Sequence, residues 1–283
     1  MSGRGDIIDG SQATDNRMYG LIYTKKCGWI DLGHANPKGA SGLFSDVRAN
    51  RNNIAASLRT AIGINKAEDI KWNLMKHAVK KVVFHAFPPF NLLPTALNVD
   101  FTSQRIKDID KKLKEWNEKA YVVLYSQTMS KKIVGKIKAT AGAARCFVIK
   151  QELSLLQQKS VALSIYMMVS HSFESMQAGF PFSWVTDSGY SVEDLMSNLL
   201  GFYRAVNPGD YIKQCEPVTA EEAFYVWDTY GAVGSIKNMK FQPYLFKTSP
   251  NDPTPVGLAP LPVFLNTIPP AREWDLFFEL RGG

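Results

Sequence analysis

The chain is poor in cysteine. Of its 283 residues only three are Cys: Cys27, Cys146 and Cys215. An odd, sparse set is no disulfide framework, and without a CxxC pair it offers no zinc-binding knuckle. That usage fits synthesis in a reducing compartment and leaves room for at most one bridge. Long apolar runs are missing too. No stretch approaches the ~20 residues that a membrane-spanning helix needs. The opening "MSGRGDIIDGSQATDNR" lacks the apolar core of a secretory signal. A protein of this kind acting outside its cell of origin would need another export route. Internal repeats are absent, which argues against a solenoid. The tripeptide "RGD" and the closing "LRGG" are too short to carry meaning.

What is present bounds the class. The chain is 45% hydrophobic and 12% aromatic, enough for a sizeable core. The formal net charge of +7 is spread along the chain and suits a polyanionic partner, whether nucleic acid, an anionic membrane face or a bacterial cell wall, and solubility alone explains it equally well.

Periodicity predicts an α+β fold. "MYGLIYTKKCGWIDLGHA" reads as two short strands about a Lys-Lys turn, with His34 just past the second. Helical spacing runs through "SGLFSDVRANRNNIAASLRTAI", "KAEDIKWNLMKHAVKKVVF" and "TSQRIKDIDKKLKEWNEKA". "AYVVLYSQTMSKKIVGKIKATAGAARCFVIKQ" is β-branched and aromatic and reads as a hairpin. Helix returns from about Glu152 to Gln177. "SVEDLMSNLLGFYRAV" and "TAEEAFYVW" each open on capping-box spacing, Ser191 with Asp194 and Thr219 with Glu222. After residue 241 prolines crowd the chain. The expectation is a mostly helical single domain with a small antiparallel sheet. Residues 1–18 would be loose, 19–240 would form the catalytic α+β body, and 241–283 would be a proline-rich segment wrapped on it.

The chemistry gathers at the end of one apolar helix. In "VALSIYMMVSHSFESMQ" the residues His171 and Glu174 are i and i+3 and project from one side. The negative end of the helix dipole disfavours an ionised Glu174. Burial would raise its pKa further. A carboxyl kept neutral in this way can act as a general acid. The next loop holds Phe182, Trp184 and Tyr190, aromatics suited to stacking on sugar rings, together with Asp187. Glycoside hydrolysis needs two carboxyl groups, and Glu174 with Asp187 supplies such a pair. Core packing explains half of these aromatics equally well.

A second group is "CGWIDLGHA", with Cys27, Asp31 and His34 close in sequence. Cys27, His171 and Asn198 follow the chain order of papain-like hydrolases, although a strand is the wrong place for that nucleophile. The bland alternative is that Cys27 is a small buried hydrophobe. His171 and Glu174, completed by His34 or Asp31, also have the spacing of a short zinc pair. Asp194 and Asn198 lie one turn apart and could orient the His171 ring.

"CGWIDLGHA", "SHSFESMQ" and "SGYSVEDLMSNLLGFYRAV" together resemble a bacterial family of unassigned function that shares these islands. The resemblance covers roughly residues 20–207. It implies that Asp31, His34, His171, Glu174, Asp194 and Asn198 belong to one site. A helix ending in Glu before an aromatic hairpin is also similar in outline to the lysozyme superfamily. The favoured reading is a peptidoglycan-degrading hydrolase, muramidase-like, using no cofactor or metal. It would be an antibacterial effector carried to a target periplasm by secretion machinery and restrained by an immunity protein. Glu174 would be the acid and Asp187 its partner, with His171 and His34 positioning. Phe182, Trp184, Tyr190, Asp194 and Asn198 would bind substrate. Other readings are a Cys27–His171 amidase, a metal-dependent hydrolase, or a basic binding module; nucleic acid is not the favoured partner.

Overall fold

The computed structural model describes residues 2–49, 103–134, 137–178 and 190–280. Helices and antiparallel sheets build it, so the chain is α+β. Its residues gather into two compact units, each made from two separated chain segments. The first unit takes residues 1–44 and 166–269, the second 45–165 and 270–283. Among the described residues no helix is long and apolar enough to cross a membrane.

In the first unit, β1 (Leu21–Thr24) and β2 (Gly28–Asp31) form an antiparallel hairpin, Leu21 opposite Asp31 and Thr24 opposite Gly28. The Thr24 hydroxyl closes the turn. It donates to the Gly28 carbonyl at 3.0 Å and accepts from the Cys27 N–H at 3.1 Å. Gly28 has φ +69°, and a Cβ there would stand 2.4 Å from the Tyr244 carbonyl oxygen. Only glycine satisfies both demands.

Leu21, Tyr23 and Trp29 are buried with Val192, Val218, Val226 and Phe246 in one core cluster. The Tyr23 hydroxyl lies inside this core, donating to the Phe246 carbonyl at 2.8 Å and accepting from the Phe246 N–H at 2.6 Å. A buried phenol so paired costs little. The proline-rich stretch thus supplies core residues through Phe246, Leu265 and Ile268.

Residues 2–18, expected to be loose from their polar composition, are tied down. The Ser2 hydroxyl donates to Asp31 at 2.6 Å, and Arg4 forms an ion pair with Asp228 at 2.8 Å. Ile7 is buried and bridges to Leu21. Such long-range partners leave no trace in local composition.

α1 (Lys38–Arg48) follows β2, and its later residues, from Ser45, enter the second unit. That unit contains α2 (Ser103–Glu115), β3 (Ala120–Val134) and β4 (Ile137–Lys150). β3 and β4 make the expected hairpin, and β7 (Phe277–Glu279) joins the free edge of β4. One face of α2, through Ile109 and Leu113, packs with Trp116, Val148 and Phe278. The other face carries charge, as the Lys-rich sequence requires. The predicted helix over residues 66–84 lies outside the described residues.

α3 (Leu155–Ala178) begins in the second unit and, from Tyr166, belongs to the first. In the first unit follow α4 (Asp194–Val206), the short α5 (Tyr211–Gln214) and α6 (Ala220–Tyr230). All of α4 except Arg204 and Ala205 is buried. A helix apolar on every side belongs in a core, and that is where "LMSNLLGFY" puts it. α6 opens on a complete capping box between Thr219 and Glu222. A two-stranded ladder of β5 (Tyr244–Leu245) and β6 (Gly257–Leu258) completes the first unit.

Candidate functional site

The last turn of α3, the turn after β2 and the start of α4 meet in the first unit, and each contributes acidic or imidazole side chains. Asp31 ends β2. Its Oδ1 accepts the N–H groups of Gly33 at 2.7 Å and His34 at 3.3 Å, which folds the chain into a tight turn and turns His34 back. α4 grips the same turn. Ser197 Oγ accepts the Asp31 N–H at 2.9 Å and donates to the Glu193 carbonyl at 2.6 Å. Gly201 presses on Ala35, where a Cβ would come within 3.0 Å of the backbone. Arg204, anchored to Asp15 at 2.9 Å, also donates to the Ala35 carbonyl. These contacts set His34 beside the first residue of α4.

The outcome is an ion pair. His34 Nδ1 stands 3.2 Å from Asp194 Oδ1. Asp194 is nearly buried, whereas the His34 side chain is 43% exposed, so the imidazole is the face this group shows to solvent. The other Asp194 oxygen accepts the Ser191 N–H at 2.7 Å, the half of the predicted capping box that the structure forms.

Glu174 joins from α3. Its residue is 1% exposed. Its Oε2 accepts the Tyr190 N–H at 3.3 Å, and its carboxyl lies within hydrogen-bonding range of Asp194. Burial, followed by the charge of Asp194, pushes its pKa up to about 8, against the opposing pull of His34 and the Tyr190 N–H. Two neighbouring carboxyl groups do not both ionise cheaply. Glu174 is the one pushed up, and it keeps its proton. Crowding by protein opposes a charged His34, but the hydrogen bond and charge of Asp194, helped by Asp31 and Glu174, outweigh it and raise its pKa to about 10. Around neutral pH the group therefore holds a protonated Glu174 and a His34 imidazolium.

Glu193 adds a second buried carboxyl. Burial, and then Asp194, push it up to about 8 as well, and its Oε2 has no hydrogen-bond partner among the described residues. Its sequence position marks Glu193 only as an acid at the start of α4. Its place beside the Asp194–His34 pair depends on tertiary packing that no local pattern encodes.

His171 lies on the exposed side of α3. The Tyr190 hydroxyl stands 3.1 Å from His171 Nδ1 and also donates to the His171 carbonyl at 3.0 Å. Tyr190, at φ +59°, thus touches His171 with its ring and Glu174 with its backbone. The sequence reading gave Asp194 to His171; the structure gives it to His34, and a tyrosine holds His171 instead. The reason is the turn at Asp31, which delivers His34 to α4.

Of the other expected residues, Asn198 is buried within α4. Cys27 is 1% exposed and neighbours the Cys215 thiol rather than opening to solvent. Asp187, Phe182 and Trp184 lie outside the described residues. Among the described residues no three His, Cys, Asp or Glu side chains are grouped to hold a metal ion, so the His171–Glu174 pair finds no third ligand there. No family model, curated protein or solved structure matches the chain.

Proposed function

We propose that the protein is a hydrolase in which Glu174 is the general acid. The observation that carries this reading is the burial of the Glu174 carboxyl beside the Asp194–His34 ion pair, a setting that favours its neutral form. A proton donor of raised pKa, next to a carboxylate that cannot take its proton while paired with an imidazolium, is what cleavage of a bond with a poor leaving group needs. Glu174 gives its proton to the leaving oxygen. The neighbouring Asp194 keeps that proton on Glu174 until substrate arrives, and His34 holds Asp194 in place.

The substrate class we assign is the glycan of bacterial peptidoglycan. The net charge of +7 suits an anionic wall, and a glycosidic bond calls for an acid paired with a second carboxylate. Asp187 is our candidate for that second group, and the aromatic side chains of Phe182 and Trp184 are candidates for stacking on sugar. On this reading the protein is an antibacterial effector that works in a target periplasm, with secretion machinery and an immunity protein as its partners.

Clearing of a peptidoglycan suspension, with new reducing ends counted in parallel, tests the reading. Glu174→Gln keeps the shape and loses the proton, and a fall of about 100-fold or more is expected. Clearing by that variant at the wild-type rate would remove the proposal. New amines in place of reducing ends would redirect it to the wall peptide.

A further inference from the structure

Two of the three thiols are neighbours. Thr24 bridges to Pro217 in antiparallel sense, the Lys25 N–H donates to the Glu216 carbonyl at 2.9 Å, and the Lys26 N–H donates to the Cys215 carbonyl at 3.1 Å. The β1–β2 turn and the chain following α5 therefore run side by side, joined by backbone hydrogen bonds. This pairing brings Cys27 next to Cys215, close enough for the two thiols to influence one another. Both are free and buried, Cys27 at 1% and Cys215 at 0% exposure. Lys26, the residue before Cys27, pairs its ammonium with Glu216, the residue after Cys215, at 2.8 Å. Cys146, in contrast, sits in β4 of the second unit, opposite Leu124.

We propose that Cys27 and Cys215 are a modification site: a thiol pair that closes to a disulfide when the protein meets an oxidant of the disulfide class. Oxidised glutathione serves as the example. One cysteine thiolate attacks it, forms a mixed disulfide and releases one glutathione. The second cysteine thiolate attacks the protein sulfur of that mixed disulfide and releases the other. Two thiols have lost two electrons and two protons, and one glutathione disulfide has become two thiols.

Burial governs the rate. Burial first, and then the adjacent Cys27, hold the Cys215 pKa well above its ordinary value, so thiolate is scarce in the folded protein. The bond forms as the chain folds or opens locally, and once formed it is shielded from reductant. It fastens the hairpin that ends in Asp31 to the chain after α5. This closes a long loop of the unfolded chain, which is where a crosslink stabilises most. The inference stands apart from the proposed activity, because its readouts are thiols and melting temperature.

The test refolds reduced full-length protein in a buffer of oxidised and reduced glutathione, alkylates the remaining thiols and maps the digest by mass spectrometry. Free thiols are expected to fall from three to one, with a linked peptide pair containing Cys27 and Cys215. The oxidised protein should melt several degrees above the reduced form. Cys27→Ser should leave two free thiols and no gain in melting temperature. Should that variant fail to fold, Cys146→Ser refolded in the same buffer must yield the same linked pair and leave no free thiol. Folded product with three free thiols, or a bridge that uses Cys146, overturns the inference.

Discussion

His34 Nδ1 and Asp194 Oδ1 stand 3.2 Å apart, one side chain open to solvent and the other buried. The buried carboxyl groups of Glu174 and Glu193 are gathered about this pair. Asp194 faces the imidazole on one side and the Glu174 carboxyl on another. Replacing it with Asn removes a negative charge from both neighbours at once. The His34 pKa should fall toward its ordinary value because its partner is gone, and the Glu174 pKa should fall because a like charge is gone. Each shift should exceed about one unit, readable by NMR titration of labelled His and Glu. Unmoved midpoints in Asp194→Asn would contradict the coupling.

Stability should decline with rising pH across a wide window. The folded pKa values of Glu174 and Glu193 are raised from 4.5 to about 8, so between those limits the unfolded chain binds fewer protons than the folded one. Folding weakens as pH climbs through that range. His34 acts in the same direction: its contribution is complete below about pH 6.5 and is lost as pH rises through about 10. Glu193→Gln should therefore stabilise the protein on the order of a few kcal/mol near pH 8 and have little effect below pH 4.5. Urea denaturation at a series of pH values measures this. A Glu193→Gln gain that is the same at both ends would exclude the linkage.

Gly28→Ala should be severely destabilising, on the order of 2–4 kcal/mol. The new methyl group would meet the Tyr244 carbonyl at 2.4 Å in a backbone conformation that disfavours any side chain. A thermal melt reads the loss, and an unchanged melting temperature would mean that the hairpin does not abut β5.

The capping box of α6 offers a milder check. Thr219→Ala deletes the acceptor for the Glu222 N–H and should cost about 1 kcal/mol. Thr219 lies outside the acid cluster, so wall-clearing activity at a temperature well below the melt should stay at the wild-type level.

Local rules made much of the fold legible. A Lys-Lys turn between two apolar runs announced the β1–β2 hairpin, and Thr219 with Glu222 marked the start of α6. The apolar run before His171 announced α3, and its final turn pointed to Glu174 as a carboxyl under electrostatic pressure. The partnership of His34 with Asp194 was not legible. The two residues are far apart in the chain, and what joins them is the fit of Gly201 against Ala35 together with the Ser197 bridge to Asp31. Helical spacing suggested Asp194 as a neighbour of Asn198, and no periodicity reports which ring comes to face it. The binding of residues 2–18 was hidden for the same reason, since Ser2 and Arg4 find Asp31 and Asp228 only after folding. Cys27 was readable as a small buried residue, but its approach to Cys215 depends on backbone pairing between distant segments.

The most direct measurement is a carbon-13 titration of the Glu174 side-chain carboxyl in the intact protein, assigned with Glu174→Gln. A midpoint near 8, with the carboxyl neutral through the neutral range, is the predicted result. A midpoint near the ordinary 4.5 would leave an ionised glutamate with no proton to give, and the proposed acid chemistry would fail with it.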